Sequence, residues 1–303
     1  MKRFFRKLFL VCLPFVCYAA CIVLIDPSNY FNFSHLFPDT VKTKVANPIL
    51  PKLLDYARNP VPNIMIGDSR MASLSAADVS RTAGEDFFNF SFGGSSLNEM
   101  IDVFWYASSK AHLRHVYIGL NFSHYSDYNF NDRVSIASSL QNNPLLYLTN
   151  RTVLTSSWDT LWYSFTGMSS APGVPNMTKE EFWREQVAMT NRWYGHYVYP
   201  SRYSRELHKI SAYCKANNIA LHFVLLPCHT DLIDGAVQAG LQPKFERYKR
   251  EIAVLGPTCD YETVNNITSD RNNYLDPLHF NHELGAVLIR AVWSKMPVCS
   301  ALF

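Results

Sequence analysis

The sequence predicts an α/β protein built on a parallel sheet, and two observations carry that expectation. First, Pro62-Asn63-Ile64-Met65-Ile66-Gly67-Asp68-Ser69-Arg70 has the form of a short buried strand closed by a glycine, with a serine placed where a helix begins. Second, three strand–turn–helix units follow one another between residues 62 and 121, the pattern of parallel strands joined by right-handed crossovers. Ligands of open parallel sheets gather at the carboxyl ends of the strands. Ser69 is expected there, beside helix-start amides suited to a developing oxyanion.

The chain begins with Lys2, Arg3, Arg6 and Lys7, and residues 8–25 then run eighteen positions without a charge. That length suffices to cross a bilayer core, and Pro14 is tolerated in such a helix. Basic residues before the run and Asp26 after it predict residues 1–7 in the cytosol, 8–25 as a single-pass anchor, and the remainder extracytoplasmic. Tyr18 is bulky for a cleavage site at Ala19-Ala20-Cys21, so an uncleaved anchor is expected rather than a signal peptide.

The chain carries 28 basic and 25 acidic residues; without the four N-terminal charges, 24 stand against 25. A nearly neutral exported part argues against a nucleic-acid partner, which demands a basic face. Residues 26–61 mix Pro, Asn and aromatics and are expected to form a stalk. Residues 62–303 are expected to form one domain with a single core.

Helix one is expected from Met71 to about Ala83. Strands follow at 87–91 and 115–120, with a helix at 97–109 between them: Leu97, Met100, Ile101, Phe104 and Trp105 share one face. From about 122 to 200 the pattern breaks into an aromatic, largely helical insertion, with helices near 144–155 and 178–190. The second opens on the capping box Thr178-Lys179-Glu180-Glu181. Trp158, Trp162, Trp183 and Trp193 suit either a rim over the site or the core of a helical subdomain. A helix at 201–216, a strand at 219–226, a helix near 243–253, a strand near 259–264 and a helix at 282–295 complete the chain.

Cys12, Cys17 and Cys21 lie in the apolar run as small hydrophobes. Cys214, Cys228, Cys259 and Cys299 contain no CxxC pair, and no metal is expected. Strand direction places Cys214, Cys259 and Cys299 at the lower edge and Cys228 alone near the top. Any disulfide is therefore expected among the first three, with Cys259–Cys299 favoured.

Serine becomes a useful nucleophile when a base takes its proton and a carboxylate fixes the base's tautomer. Asp276 and His279 supply both from one turn, stiffened by Pro277. Backbone amides of Ser69 and Gly94 and the side-chain amide of Asn121 are candidate oxyanion donors. His229, ending a strand, is a candidate pocket residue, and Asp68 is expected as a helix cap.

Four blocks in this order, Gly67-Asp68-Ser69, Asn89 through Gly94, Gly119-Leu120-Asn121 and Asp276-x-x-His279, resemble the SGNH hydrolase superfamily of GDSL-type esterases and acyltransferases. The resemblance covers about residues 62–125 and 218–295. It implies a three-layer α/β/α flavodoxin-like fold and no cofactor. It also implies Ser69 as nucleophile, His279 as base, Asp276 as its orienter, and Gly94 and Asn121 in the oxyanion hole. Arg70 departs from the apolar residue of many esterases and suggests affinity for an anionic substrate group. An outward-facing anchored domain of this type is similar to enzymes that move acyl groups on envelope polysaccharides beside a polytopic membrane acyltransferase. The alternatives are a non-catalytic glycan- or partner-binding module on the same scaffold and a lipid-directed lipase or thioesterase.

Overall fold

The computed structural model describes residues 1–42, 48–168, 177–294 and Cys299. The chain opens with helix α1 (Lys2–Ile25), which contains Pro14 and ends on Asp26 in the left-handed region. It is long and apolar enough to cross a membrane. Helices α2 (Asp39–Lys42) and α3 (Leu50–Arg58) follow, and α3 buries Leu50, Leu53 and Leu54 on one face.

Strand β1 (Asn63–Ile66) leads into α4 (Ser69–Ala72), α5 (Ala76–Ala83), β2 (Phe87–Asn89), α6 (Leu97–Lys110) and β3 (His115–Leu120). The helix expected from Met71 to Ala83 is thus broken. Ser75 caps α5 by accepting the Asp78 N–H at 3.3 Å, because serine competes for backbone groups better at a helix start than inside one. Helix α6 begins on a capping box formed by Ser96 and Glu99.

Helices α7 (Arg133–Asn142), α8 (Pro144–Thr149) and α9 (Arg151–Thr166) come next. They fold with α1–α3 into one compact unit, residues 1–58 and 133–175; residues 59–132 and 176–303 form the other. Two expectations are corrected here. Residues 26–58 are not a stalk, because the apolar face of α3 packs against α7, and Tyr30 stacks on Tyr147 with ring centroids 4.1 Å apart. The stretch 122–200 is not one insertion, because its middle part belongs to the unit that contains α1 and its ends to the sheet-bearing one. Within the first unit the Asp26 carboxylate accepts the N–H groups of Tyr30, Phe31 and Asn32 at 2.6–3.0 Å, fixing the turn that follows α1.

The remaining elements are α10 (Lys179–Gly195), α11 (Ser201–Ala216), β4 (Ala220–Leu225), α12 (Thr230–Gln238), α13 (Gln242–Leu255), β5 (Thr258–Asp260) and α14 (His282–Trp293). Thr178 and Glu181 form the expected capping box. The expected end of the last helix at Lys295 lies outside the described residues.

All five strands are parallel, in the order β2-β1-β3-β4-β5. This is the flavodoxin-like order, whose switch point lies between β1 and β3. Met65, Val224, Val79, Leu284, Leu288 and Trp293 share one core on the side of α5 and α14. Strand side chains alternate, so Ile64, Ile66, Val116 and Ile118 face the other side, where α11 packs against α6 and α13.

Cys259 and Cys299 form a disulfide, with Cα atoms 4.6 Å apart, while Cys214 and Cys228 are free and buried. Peptide mapping without reductant should therefore recover the 259–299 pair alone from the sheet-bearing unit. Cys214 and Cys228 should alkylate only after unfolding; a bridge to Cys228 would contradict the strand directions.

Candidate active site

The turn that presents Ser69 is shaped by two glycines at the switch point. A Cβ on Gly67 would stand 2.6 Å from Met71 Cβ and 3.2 Å from the Gly119 carbonyl oxygen. One on Gly119 would stand 3.0 Å from Leu226 Cδ1 and 3.2 Å from Met71 Cβ. The bare backbones leave a notch for Met71, so α4 starts immediately off β1 and presents Ser69 at its first residue. Asn89 holds the far end of this turn: its Nδ2 donates to the carbonyls of Met71 and Leu74, both at 2.9 Å.

The partner loop lies between β5 and α14. Asp276 Oδ1 accepts the N–H groups of Leu278 (2.8 Å) and His279 (3.0 Å), and its Oδ2 lies 2.7 Å from His279 Nδ1. The His229 N–H donates to the Pro277 carbonyl at 2.9 Å, and Tyr274 pairs with Phe280 across the loop's base. His279 Nε2 lies 2.7 Å from Ser69 Oγ. Burial pushes the Asp276 carboxyl up, but the hydrogen bond and charge of His279 and the two backbone N–H groups outweigh it and hold it below its ordinary value. An ionised Asp276 only accepts, so Nδ1 carries the proton and Nε2 is left to accept from the serine hydroxyl.

Asn121 follows β3 and is buried, with its Nδ2 donating to Asp68 Oδ2 at 3.0 Å. Its Oδ1 accepts from Ser123 Oγ (2.5 Å) and from the His124 N–H (3.1 Å). A carboxamide nitrogen carries two hydrogens, so one remains after the bond to Asp68. Gly94 has φ +63° and is exposed; the Phe92 N–H bonds the Gly67 carbonyl at 3.3 Å, which brings its loop alongside the turn that presents Ser69.

Two candidate substrate contacts are corrected. Arg70 is only 1% exposed and pairs inward with Asp68, Nη2 to Oδ2 at 2.6 Å and Nε to Oδ2 at 3.2 Å. The carboxylate that caps α4 needs a buried counter-charge, and Arg70 is the side chain that supplies it. His229 is also buried, as the cap of α12, where its Nδ1 accepts the Asp231 N–H at 3.2 Å. Its Nε2 lies 3.3 Å from the Ser269 carbonyl, and Trp183 and Tyr274 meet the ring edge-on.

Two residues outside the expected set, His124 and Glu262, complete the surroundings together with Trp193, one of the four tryptophans singled out from the sequence. His124 Nδ1 lies 3.0 Å from Asp68 Oδ2. Glu262, 2% exposed, accepts the Phe122 N–H with both oxygens, at 2.9 and 3.1 Å. Trp193 is half-buried, with its ring 5.8 Å from that of His124. No local pattern marks His124 or Glu262, since each is brought in by a segment remote in sequence from Ser69. Trp183 is buried and donates Nε1–H to Asp231 at 2.8 Å, whereas Trp158 and Trp162 are exposed on α9 in the other unit.

Burial raises the Asp68 carboxyl, but the Arg70 charge and the His124 contact overcome it and hold Asp68 well below its ordinary range. Burial dominates at Glu262, against the opposing charges of Lys249 and Arg70 and the Phe122 N–H, and pushes it up to about 7. Among the described residues, no group of three or more His, Cys, Asp or Glu side chains is placed to hold a metal ion. A cleft of about 540 Å³ runs between α5 and α14, its lining combining apolar Leu74, Phe280 and Ile289 with charged Asp78, Arg81 and Arg290. Its upper lining includes Leu275 and Phe280, the chain neighbours of Asp276 and His279.

No protein-family description matches the chain, and no curated protein does. Among solved structures, a protein described as a platelet activating factor from Streptococcus pneumonia is similar at 10% identity and a TM-score of 0.42, over 81% of this chain and 90% of that one. A GDSL-like lipase from Bacteroides thetaiotaomicron is similar at 12% identity and a TM-score of 0.39, over 88% of this chain and 95% of that one. A protein described as an acylhydrolase from Bacteroides fragilis is similar at 13% identity and a TM-score of 0.39, over 78% and 90%. Likeness at this level carries no functional weight, and the chemistry has to be argued from the residues.

The buried carboxylates set opposite pH dependences. Asp68 and Asp276, depressed from 3.8, add stability that is present above that value and lost as pH falls below it. Glu262 is raised from 4.5 to about 7, so the native state binds more protons between those values and stability falls as pH rises through them. Glu262→Gln should remove that fall, worth on the order of 1–3 kcal/mol. Urea unfolding of both proteins at about pH 5 and about pH 8 checks it, the wild type alone losing stability between the two.

Proposed function

We propose that this protein is a serine esterase or O-acyltransferase that forms an acyl intermediate on Ser69. The observation that carries this is the continuous relay from Ser69 Oγ to His279 Nε2 (2.7 Å) and from His279 Nδ1 to Asp276 Oδ2 (2.7 Å). In this mechanism Ser69 Oγ bonds to the acyl carbon as its proton passes to His279 Nε2. The oxyanion is met by the N–H groups of Ser69 and Gly94 and the second Nδ2 hydrogen of Asn121. The C–O bond to the leaving alcohol breaks as His279 returns the proton to it. Water or a sugar hydroxyl then gives its proton to His279 and attacks the acyl carbon, and His279 passes that proton to Ser69 Oγ as the acyl–Oγ bond breaks. Asp276 stays ionised throughout.

The location and substrate belong to the same proposal. Lys2, Arg3, Arg6 and Lys7 lie in the first turns of α1, before its uncharged run, and support an N-in orientation with the catalytic domain extracytoplasmic. An anchored enzyme facing outward has acyl groups of an envelope polysaccharide within reach, and a polytopic membrane acyltransferase is a suitable donor of the acyl group. The cleft between α5 and α14 favours one alternative, a lipid-directed lipase or thioesterase, because its apolar side chains suit a long acyl chain. A non-catalytic binding module makes no use of the relay.

A fluorophosphonate probe should label the full-length protein and fail to label Ser69→Ala; no labelling of the wild type would favour the binding module. Ser69→Ala and His279→Ala should each abolish nearly all ester turnover, with no further loss in the double variant. Asn121→Ala should lose roughly 10²–10³ in kcat, the weight of one oxyanion donor. Ala286→Trp, which fills the cleft, should leave acetyl-ester turnover unchanged. If it selectively abolishes turnover of long-chain esters, the lipid alternative gains.

A further inference from the structure

Helix α9 is built inside out for a helix in water. Its buried positions within the unit are small or hydroxylic: Val153, Ser156, Ser157 and Thr160. The hydroxyls turn back onto their own helix, Ser157 Oγ donating to the Val153 carbonyl and Thr160 Oγ1 to the Ser156 carbonyl, both at 2.8 Å. The large apolar residues point outward instead. Leu154 is 44% exposed, Trp158 62%, Trp162 42% and Phe165 85%. At spacings of 4, 4 and 3 these four form one stripe along the helix. Small residues at helix contacts with large apolar residues outside is the arrangement of helices solvated by lipid.

Three further observations bear on what covers the stripe. Between Pro144 and Met168 the only charged side chains are Arg151 and Asp159, and Leu145, Leu146 and Met168 extend the exposed apolar surface at 75%, 41% and 62%. Helix α9 packs against α1 within the same compact unit. Tyr18 of α1 donates its hydroxyl to the Leu148 carbonyl at 2.8 Å, at the junction of α8 and α9. Tyr18 lies seven residues before Ile25, about 10 Å along the helix. The junction is therefore level with the last two turns of a membrane-spanning α1, inside the bilayer boundary. With sixteen residues, α9 is about 24 Å long and too short to cross a core of about 30 Å upright.

We propose that α9 lies in the lipid interface of the bilayer, its Leu154–Trp158–Trp162–Phe165 stripe inserted among acyl chains beside α1. This rests on the reading of α1 as a membrane span. Tryptophan at the headgroup level with leucine and phenylalanine in the chains is the distribution such a surface takes. The anchor-bearing unit then holds the membrane at two elements rather than swinging from one.

The test uses the full-length protein in phosphatidylcholine vesicles, either plain or brominated near the top of the acyl chains. The emission assigned to Trp158 and Trp162 is taken as the difference between wild type and Trp158→Phe/Trp162→Phe. Fluorophosphonate labelling of Ser69 and far-UV circular dichroism show that the double variant is folded. That difference emission should be blue-shifted in plain vesicles and lose about half its intensity in brominated ones. Resistance to alkaline carbonate reports on α1 separately. Resistance together with water-exposed, unquenched Trp158 and Trp162 would overturn the inference and leave the anchor standing. A blue shift seen in native membranes but absent from protein-free vesicles would overturn it in favour of a protein partner. Extraction by carbonate would remove the anchor, and this proposal with it.

Discussion

The sheet-bearing unit is organised around a carboxylate with no access to water. Asp68 caps α4, pairs with Arg70, and accepts from the Asn121 amide, with His124 at the same oxygen. Buried charges are costly to desolvate, and such a pair adds little net stability over an apolar replacement. Removing one partner alone costs about 3–5 kcal/mol, because the other is left buried and unpaired. The interaction thus acts less as glue than as a constraint. It ties the end of β1, where the serine sits, to the end of β3, where Asn121 sits, across the switch point of the sheet.

Much of this was legible in the chain. The strands, their parallel direction, the serine at a strand end and the Asp276-x-x-His279 turn are all local patterns, and local patterns survive folding. Strand direction, a property of the fold class rather than of any one cysteine, set Cys228 apart and left Cys214, Cys259 and Cys299, of which the favoured pair Cys259–Cys299 is bridged. The failures share a cause. Arg70 and His229 looked like substrate contacts because a polar residue beside a catalytic block is ambiguous until its burial is known. The segment 26–58 looked like a stalk because its prolines and asparagines outweighed the amphipathic spacing of Leu50, Leu53 and Leu54. That helix gains its stability from α7, whose sequence begins 75 residues beyond Arg58.

The two compact units divide labour in their chemistry. The sheet-bearing unit concentrates its buried charge at the carboxyl edge, in Asp68, Arg70 and Glu262. The unit that contains α1 buries Asp26, which holds a turn, and Lys42, which donates to Asn29, beside aromatic stacking and small-residue helix contacts.

Helix α4 has four residues and stops before α5 begins at a new cap, so few peptide dipoles are aligned behind Ser69. On the mechanism proposed above, little long-range field is available to steady an anionic transition state. The burden passes to a few individually aimed N–H groups, whose influence falls off over a single hydrogen-bond length. A site of that kind selects by position rather than by charge: an acyl carbonyl seated an ångström out of place loses its stabilisation almost entirely, and added salt has little field to screen.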